Sequence, residues 1–222
     1  MNLLRIAIDG TASAGKGSIA REVARRLDIA YIDTGAMYRS IALLCLENNI
    51  DWTNIEAITR LTEQSQFEFF WDNNALSLRL NGRDVSKLIR KEEIGSAASI
   101  VSAIPGVRSE LAQRQKQYAL GDSLVMDGRD IGTVVIPDAE LKVFVDADLQ
   151  ERAKRRWKEE QAKGLNTIYD DVLTDLAERD HRDRSRDISP LLQAVDAKLL
   201  DTTKRTIEEG VQQILDWVKE LQ

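Results

Sequence analysis

A single cysteine, Cys45, and a single histidine, His181, are all that this chain of 222 residues holds of those two types. That scarcity excludes an internal disulfide and any zinc site built from several cysteines or histidines. A histidine-based catalytic triad would have to use His181, which stands in a charged run where a solvated side chain is expected. Cys45 lies within IALLCL and reads as a small buried hydrophobe rather than a nucleophile. Prolines number three, and no Pro-rich linker, low-complexity tract or internal repeat interrupts the chain, so one compact unit is expected. No uninterrupted apolar stretch approaches membrane-spanning length, and Met1 leads into the first strand without a long apolar leader; a cytoplasmic protein without a membrane partner is the expectation. The formal net charge of −6 argues against a protein that coats nucleic acid and leaves small anionic ligands open.

What is present is concentrated in IAIDGTASAGKGS, from Ile6 to Ser18. Gly10 and Gly15 stand five apart with Lys16 directly after, the spacing of a P-loop whose backbone N–H groups wrap a triphosphate. Leu3 to Asp9 suits a buried strand, and Ile19, Val23 and Leu27 recur at helical spacing, so strand, loop and helix follow in the required order. Lys16 would set an ammonium on the terminal phosphates, with the helix start aimed at the same anion. The hydroxyl comes one position late, at Ser18 after Gly17, and is the candidate magnesium ligand.

IAYID, 29–33, reads as a second strand, and TGAMYRSIALLCLENN as a helix with Ala42, Leu43 and Leu46 on its apolar face, which together predict a parallel α/β sheet. Thr34 is a candidate helix cap, and Arg39 lies about one turn further in. From about Trp52 to Pro105, FEFFW, ALSLRL and a turn at Asn81-Gly82 predict an antiparallel insertion. In its helical continuation, Ser99 and Arg108 flank Pro105; composition makes them solvent-facing. SLVMDGRDIGTVVIP then sets Asp127, Arg129 and Asp130 where a strand ends, placed to position phosphates through Arg129 and to read a base or hold hydrated magnesium through a carboxylate. LKVFVDA, 141–147, is another strand. Arg152, Arg155 and Arg156 share a face of a charged helix, either as solvated surface or as a mobile segment that closes over phosphates. Arg179, Asp183 and Arg186 fall on one helical face, either as an internal salt-bridge set or as ligand contacts. The closing apolar set, Leu199, Leu200, Ile207, Val211, Ile214, Leu215 and Val218 around a loop at Asp201-Thr202-Thr203, reads as a final amphipathic helix packing on the sheet.

In order and spacing, GTASAGKGS, IDTGAMYR, DGRDIGTVVIP, ERAKRRW and ERDHRDRSR resemble the bacterial cytidylate kinases of the nucleoside monophosphate kinase family over nearly the whole chain. The resemblance implies a P-loop parallel five-stranded core with flanking helices, an enlarged acceptor-binding insertion and a short helical lid. These parts would be the core at about 1–51, 106–150 and 188–222, the insertion at about 52–105 and the lid at about 151–187 of a single kinase unit. It implies transfer of the γ-phosphoryl of ATP, as MgATP, to CMP or dCMP; the sequence gives no strong sign of oligomerisation, so a monomer is the expectation. Gly10, Thr11, Ala12, Ser13, Ala14, Gly15, Lys16, Gly17 and Ser18 would hold ATP. Thr34, Arg39, Ser99, Arg108, Arg129, Asp130, Arg179, Asp183 and Arg186 match acceptor-contacting positions: Arg39, Arg108 and Arg129 for the phosphate, Ser99, Asp130, Asp183 and Arg179 for cytosine and its sugar. Lys16, Arg129 and the lid arginines Arg152, Arg155 and Arg156 would serve the transfer itself. The family frequently has proline after the first P-loop glycine; this chain has Thr11. The rivals are a regulatory NTPase switch, against which the absence of Asp-x-x-Gly and Asn-Lys-x-Asp counts, a silent nucleotide binder, and a kinase for UMP or another monophosphate.

Overall fold

Ile6, Ala7 and Ile8 are fully buried because their strand, β1 (Arg5–Gly10), is flanked by parallel neighbours on both edges. The computed structural model describes residues 3–72 and 75–221. The expected passage from Met1 into the first strand and the terminal Gln222 lie outside the described residues.

The elements follow as α1 (Lys16–Leu27), β2 (Ala30–Asp33), α2 (Thr34–Glu47), α3 (Ile55–Gln64), β3 (Phe67–Asp72), β4 (Ala75–Leu80), β5 (Arg83–Asp84), α4 (Glu92–Val101), α5 (Pro105–Tyr118), β6 (Leu124–Gly128), β7 (Leu141–Asp146), α6 (Leu149–Ala162), α7 (Tyr169–Ser185), β8 (Lys198–Asp201) and α8 (Ile207–Lys219). A five-stranded sheet runs in the order β2-β6-β1-β7-β8, with β6, β1, β7 and β8 paired in parallel. A separate three-stranded antiparallel sheet holds β3, β4 and β5. The chain divides into two compact units, residues 1–31 with 121–222 and residues 32–120.

In the first unit, Ile19 and Val23 of α1 and Val211 and Ile214 of α8 are fully buried, as helical spacing on one face requires. Helix α8 opens on a capping box in which Thr206 and Glu209 satisfy each other's backbone N–H groups. The second unit has its own core, where Met37, Ile41 and Ile58 pack with Leu78, Ile94, Val107 and Leu111. The turn expected at Asn81-Gly82 joins β4 to β5, with both residues at positive φ, 50° and 80°, which a two-residue hairpin of this hand demands. Among the described residues no helix is long and apolar enough to cross a membrane.

Three sequence expectations need correction. Leu46 is 40 % exposed, so of the apolar face expected for α2 only Ala42 and Leu43 are buried, alongside Met37, Ile41 and Cys45. Leu199, assigned to the closing apolar set, lies in the edge strand β8 and is 55 % exposed, because successive strand residues face opposite ways. Arg186 stands just past the end of α7 in extended conformation, so it does not share that helix's face.

Candidate active site

The loop from Gly10 to Ser18 is shaped by contacts that tolerate few residues. A Cβ on Gly10 would stand 1.9 Å from the Val145 carbonyl oxygen, so β1 lies against β7 only because nothing projects there. Gly15, at φ 82°, turns the chain into α1, which has neither a side-chain cap nor an acidic residue in its first turn. No carboxylate of the helix's own first turn offsets its positive end; the nearby carboxylate is that of Asp127, 3.7 Å from where a Cβ on Gly17 would stand. Thr11, where the family often has proline, donates its hydroxyl to Asp146 Oδ1 at 2.7 Å and its N–H to the Val145 carbonyl at 3.3 Å. The loop is pinned by hydrogen bonds in place of a ring. Replacing Thr11 with valine, which keeps the shape and removes the hydroxyl, should lower stability by about 1 kcal/mol in urea unfolding; an unchanged midpoint would rule the tether out.

Lys16 Nζ donates to Asp127 Oδ2 at 2.8 Å, and Tyr31 donates its phenolic hydroxyl to Asp127 Oδ1 at 2.7 Å. Asp127 is 4 % exposed at the end of β6, in register with Ile8 of β1, which brings its carboxylate beside the loop. Ser18 lies exposed in the first turn of α1. Ala12 and Ala14 are buried, whereas Ser13 reaches a positive φ of 60° and Gly17 remains half-buried.

Immediately after β6, Arg129 donates through Nε to Asp183 Oδ2 at 2.8 Å, and Arg186 Nη1 approaches Asp183 Oδ1 at 3.3 Å. Burial pushes the Asp183 carboxyl up, but Arg129, Arg179 and Arg186 outweigh it and hold it below the usual aspartate range. Burial likewise opposes the charge on Arg129, and Asp183, Asp127 and Asp180 overcome that opposition. Asp130 is 4 % exposed. It occupies the cap position of a π-helical turn, Ile131–Val135, without bonding that turn's N–H groups through its side chain. Asp9 does so instead: its Oδ1 accepts from Ile131 N at 2.8 Å and its Oδ2 from Gly132 N at 2.7 Å. Burial raises Asp9 to about 7, with its two backbone bonds opposing the shift, Asp130 adding to it and Lys16 opposing it. The sign follows from proton uptake: the native state binds this proton more tightly, so the stability owed to Asp9 falls as pH rises from the ordinary aspartate range through about 7.

The three helix arginines are held by protein groups. Arg152, 4 % exposed, donates to the Ala147 and Ala12 carbonyl oxygens and, at 2.6 Å, to Asp180 Oδ2. Arg155 donates to the Thr202 and Thr203 carbonyl oxygens and to Glu151. Arg156 pairs with the buried Glu160.

The second unit groups Thr34, Arg39, Ser99 and Arg108 among its helices. Asp33, rather than Thr34, caps α2, accepting from Ala36 N at 3.0 Å, while Thr34 is the first helical residue and is buried. The aspartate wins because its carboxylate bonds both the orphan N–H and, at 2.7 Å, Arg39 Nη2. Gly35 makes room for that return, since a Cβ there would stand 3.2 Å from Arg39 Nη1. Ser99 and Arg108 are 6 % and 2 % exposed, contrary to the solvent-facing expectation. Arg108 donates to the Ser102 carbonyl oxygen and lies over the Tyr38 ring at 5.5 Å. The Ser99 hydroxyl is buried with no hydrogen-bond partner among the described residues.

Sequence reasoning passed over Asp9, Tyr31, Asp33 and Arg90, the last of which approaches Asp33 Oδ2 at 3.3 Å. An aspartate ending an apolar strand, and one directly before a helix start, were signals that could have found two of them. His181 is exposed, as expected of a solvated side chain, and burial pushes the Cys45 thiol up to about 11, which disfavours the reactive thiolate.

The curated relatives match nearly the whole of this arrangement. A cytidylate kinase of Vibrio cholerae serotype O1 is 44 % identical over 96 % of this chain and 95 % of its own length. One from Ligilactobacillus salivarius is 45 % identical over 98 % and 97 %. Among solved structures, a shikimate kinase from Bacteroides thetaiotaomicron superposes with a TM-score of 0.51 at 12 % identity, covering 98 % of this chain and 99 % of that one, a likeness of fold. Since the cytidylate kinase profile also matches residues 6–220, taking in the lysine-bearing loop and the arginine-aspartate cluster alike, the chain belongs to the cytidylate kinase family.

Proposed function

We propose that this protein transfers the γ-phosphoryl of ATP to CMP and dCMP, giving ADP and CDP or dCDP. It is a nucleoside monophosphate kinase. The observation that carries the reading is the meeting of Lys16 and Asp127 at the rim of a parallel sheet, in a chain that belongs throughout to the cytidylate kinase family. No covalent intermediate is needed, because the acceptor phosphate is already a nucleophile at neutral pH. Alignment and charge neutralisation do the rest.

ATP is held by Gly10 to Ser18, with Lys16 on the terminal phosphates. Magnesium fits the donor set: the Ser18 hydroxyl and the Asp127 carboxylate, oxygen donors next to a phosphate loop, would hold it. Among the described residues no cluster of three or more His, Cys, Asp or Glu forms an all-protein cage, which suits an ion that arrives with the nucleotide and keeps its waters. Bound there, magnesium would neutralise phosphate charge. Tyr31 orients Asp127, and Lys16 exchanges its carboxylate partner for phosphate.

Arg39, Arg108 and Arg129 hold the CMP phosphate, Ser99, Asp130, Arg179 and Asp183 read the cytosine and its sugar, and Thr34 and Arg186 complete the set of acceptor contacts. A buried serine hydroxyl lacking a protein partner supports a ligand-facing role for Ser99. Arg152, Arg155 and Arg156 belong to a lid at about 151–187, the other parts of the kinase unit being a core at about 1–51, 106–150 and 188–222 and an acceptor-binding insertion at about 52–105. For these arginines to reach phosphate, their present carbonyl and carboxylate partners must be exchanged. The enzyme acts as a cytoplasmic monomer on small anionic substrates, with no nucleic-acid or membrane partner.

Following ADP release with ATP and, separately, CMP, dCMP, UMP and AMP tests the assignment. Turnover should require CMP or dCMP; hydrolysis without an acceptor would indicate an NTPase switch instead. Asp130 is suited to accept from the exocyclic amine of cytosine, so Asp130→Ala should narrow the preference for CMP over UMP by at least about tenfold. An unchanged ratio would remove Asp130 from base recognition.

A further inference from the structure

The short turn that follows Asp130 starts with N–H groups that its cap residue does not satisfy through a side-chain cap bond. The partner comes from far away in sequence. Asp9, the penultimate residue of β1, is 5 % exposed and receives Ile131 N and Gly132 N on its two carboxylate oxygens, at 2.8 and 2.7 Å. The next residue along β1 is Gly10, where the phosphate loop begins. The residues directly before the two tethered N–H groups are Arg129 and Asp130. One carboxylate thus stands with its backbone on the donor loop and its oxygens on the segment that carries two acceptor-contacting side chains.

We infer that Asp9 is a positioning residue for the acceptor: by bonding Ile131 and Gly132 from the base of the phosphate loop, it sets where Arg129 and Asp130 stand. The inference rests on the CMP kinase reading and adds to it a residue that touches neither substrate. Two features favour positioning over simple filling of space. Each oxygen meets its own N–H donor, which fixes the orientation of the carboxylate. The turn is also closed from the side: a Cβ on Gly132 would lie 3.2 Å from Lys142 Cδ, and Lys142 is itself held by Asp196 at 2.8 Å. On that side Lys142 leaves the turn little room to shift.

Asp9→Asn is the informative change, since it keeps the shape but presents an amide N–H₂ to one of the two N–H donors. Two donors then face each other, and the turn has to move. The phosphate loop depends on other bonds, those of Thr11 to Val145 and Asp146. Steady-state kinetics on the full chain, varying CMP at saturating ATP and then ATP at saturating CMP, should show KM for CMP raised about tenfold or more, with KM for ATP within about twofold of wild type. A loss of folding alone would lower the active fraction and move neither KM. Should Asp9→Asn not fold, Gly132→Ala decides, because its Cβ would press on Lys142 and stand 3.4 Å from Asp9 Oδ2. The same ratio of KM values should then shift about threefold in the same direction. A folded variant whose two KM values stay put or rise together overturns the inference alone. A wild-type protein that makes no ADP with CMP overturns both the inference and the reading beneath it.

Discussion

Lys16→Ala should reduce kcat by about two to three orders of magnitude, the size of effect seen when one preorganised charge is taken from a phosphoryl-transfer site. The ammonium is within 2.8 Å of Asp127 and half-buried beside the uncapped start of α1. On the proposed reading it would act where water is partly excluded, once it has exchanged Asp127 for phosphate. Its removal also leaves the buried Asp127 with one fewer hydrogen-bond donor, so some loss of stability should accompany the loss of rate. Stopped or coupled assays of ADP formation at saturating ATP separate these effects, because destabilisation alone scales with the unfolded fraction and disappears at low temperature. A variant turning over at the wild-type rate would exclude Lys16 from the donor site.

Why that lysine could be read from sequence while other site features could not is a matter of what constrains each residue. The phosphate loop is legible because its glycines answer steric demands that no other residue meets: Gly10 has a carbonyl 1.9 Å from where a Cβ would be, and Gly15 a φ of 82°. The parallel sheet is legible from β1, β6 and β7, whose apolar runs are long and buried on both faces. Strand β8 is not, since it has four residues at a sheet edge with Leu199 turned outward, and resembles the start of a helical segment. The burial of Ser99 and Arg108 was hidden for a different reason. Polar residues are outside on average, and only tertiary placement of α4 and α5 brings these two inside. Asp33 and Asp9 show the same limit at the level of single bonds. Both carboxylates are defined by the N–H groups they accept from, and for Asp9 those lie more than a hundred residues along the chain.

Asp183→Ala should be the most destabilising single change at the site, by about 3–5 kcal/mol, because it strands buried guanidinium groups without their counter-charge. The carboxylate is 5 % exposed and is approached by Arg129 at 2.8 Å and by Arg186 at 3.3 Å. The same geometry fixes the pH dependence. Because the folded carboxyl is held below its ordinary value, the pairing stabilises the protein at pH values above the usual aspartate range, and that contribution is lost as pH falls through the depressed value. Urea unfolding of wild type should therefore show an acid limb that Asp183→Ala flattens. Asp183→Asn separates charge from shape: it retains an acceptor for one guanidinium and loses the negative charge shared by both. If charge neutralisation holds this cluster together, the asparagine variant will fall near alanine in stability at pH 7 and will also lack the acid limb. An asparagine variant as stable as wild type would mean that hydrogen bonding alone suffices, and that the charge of Asp183 is there for the ligand rather than for the fold.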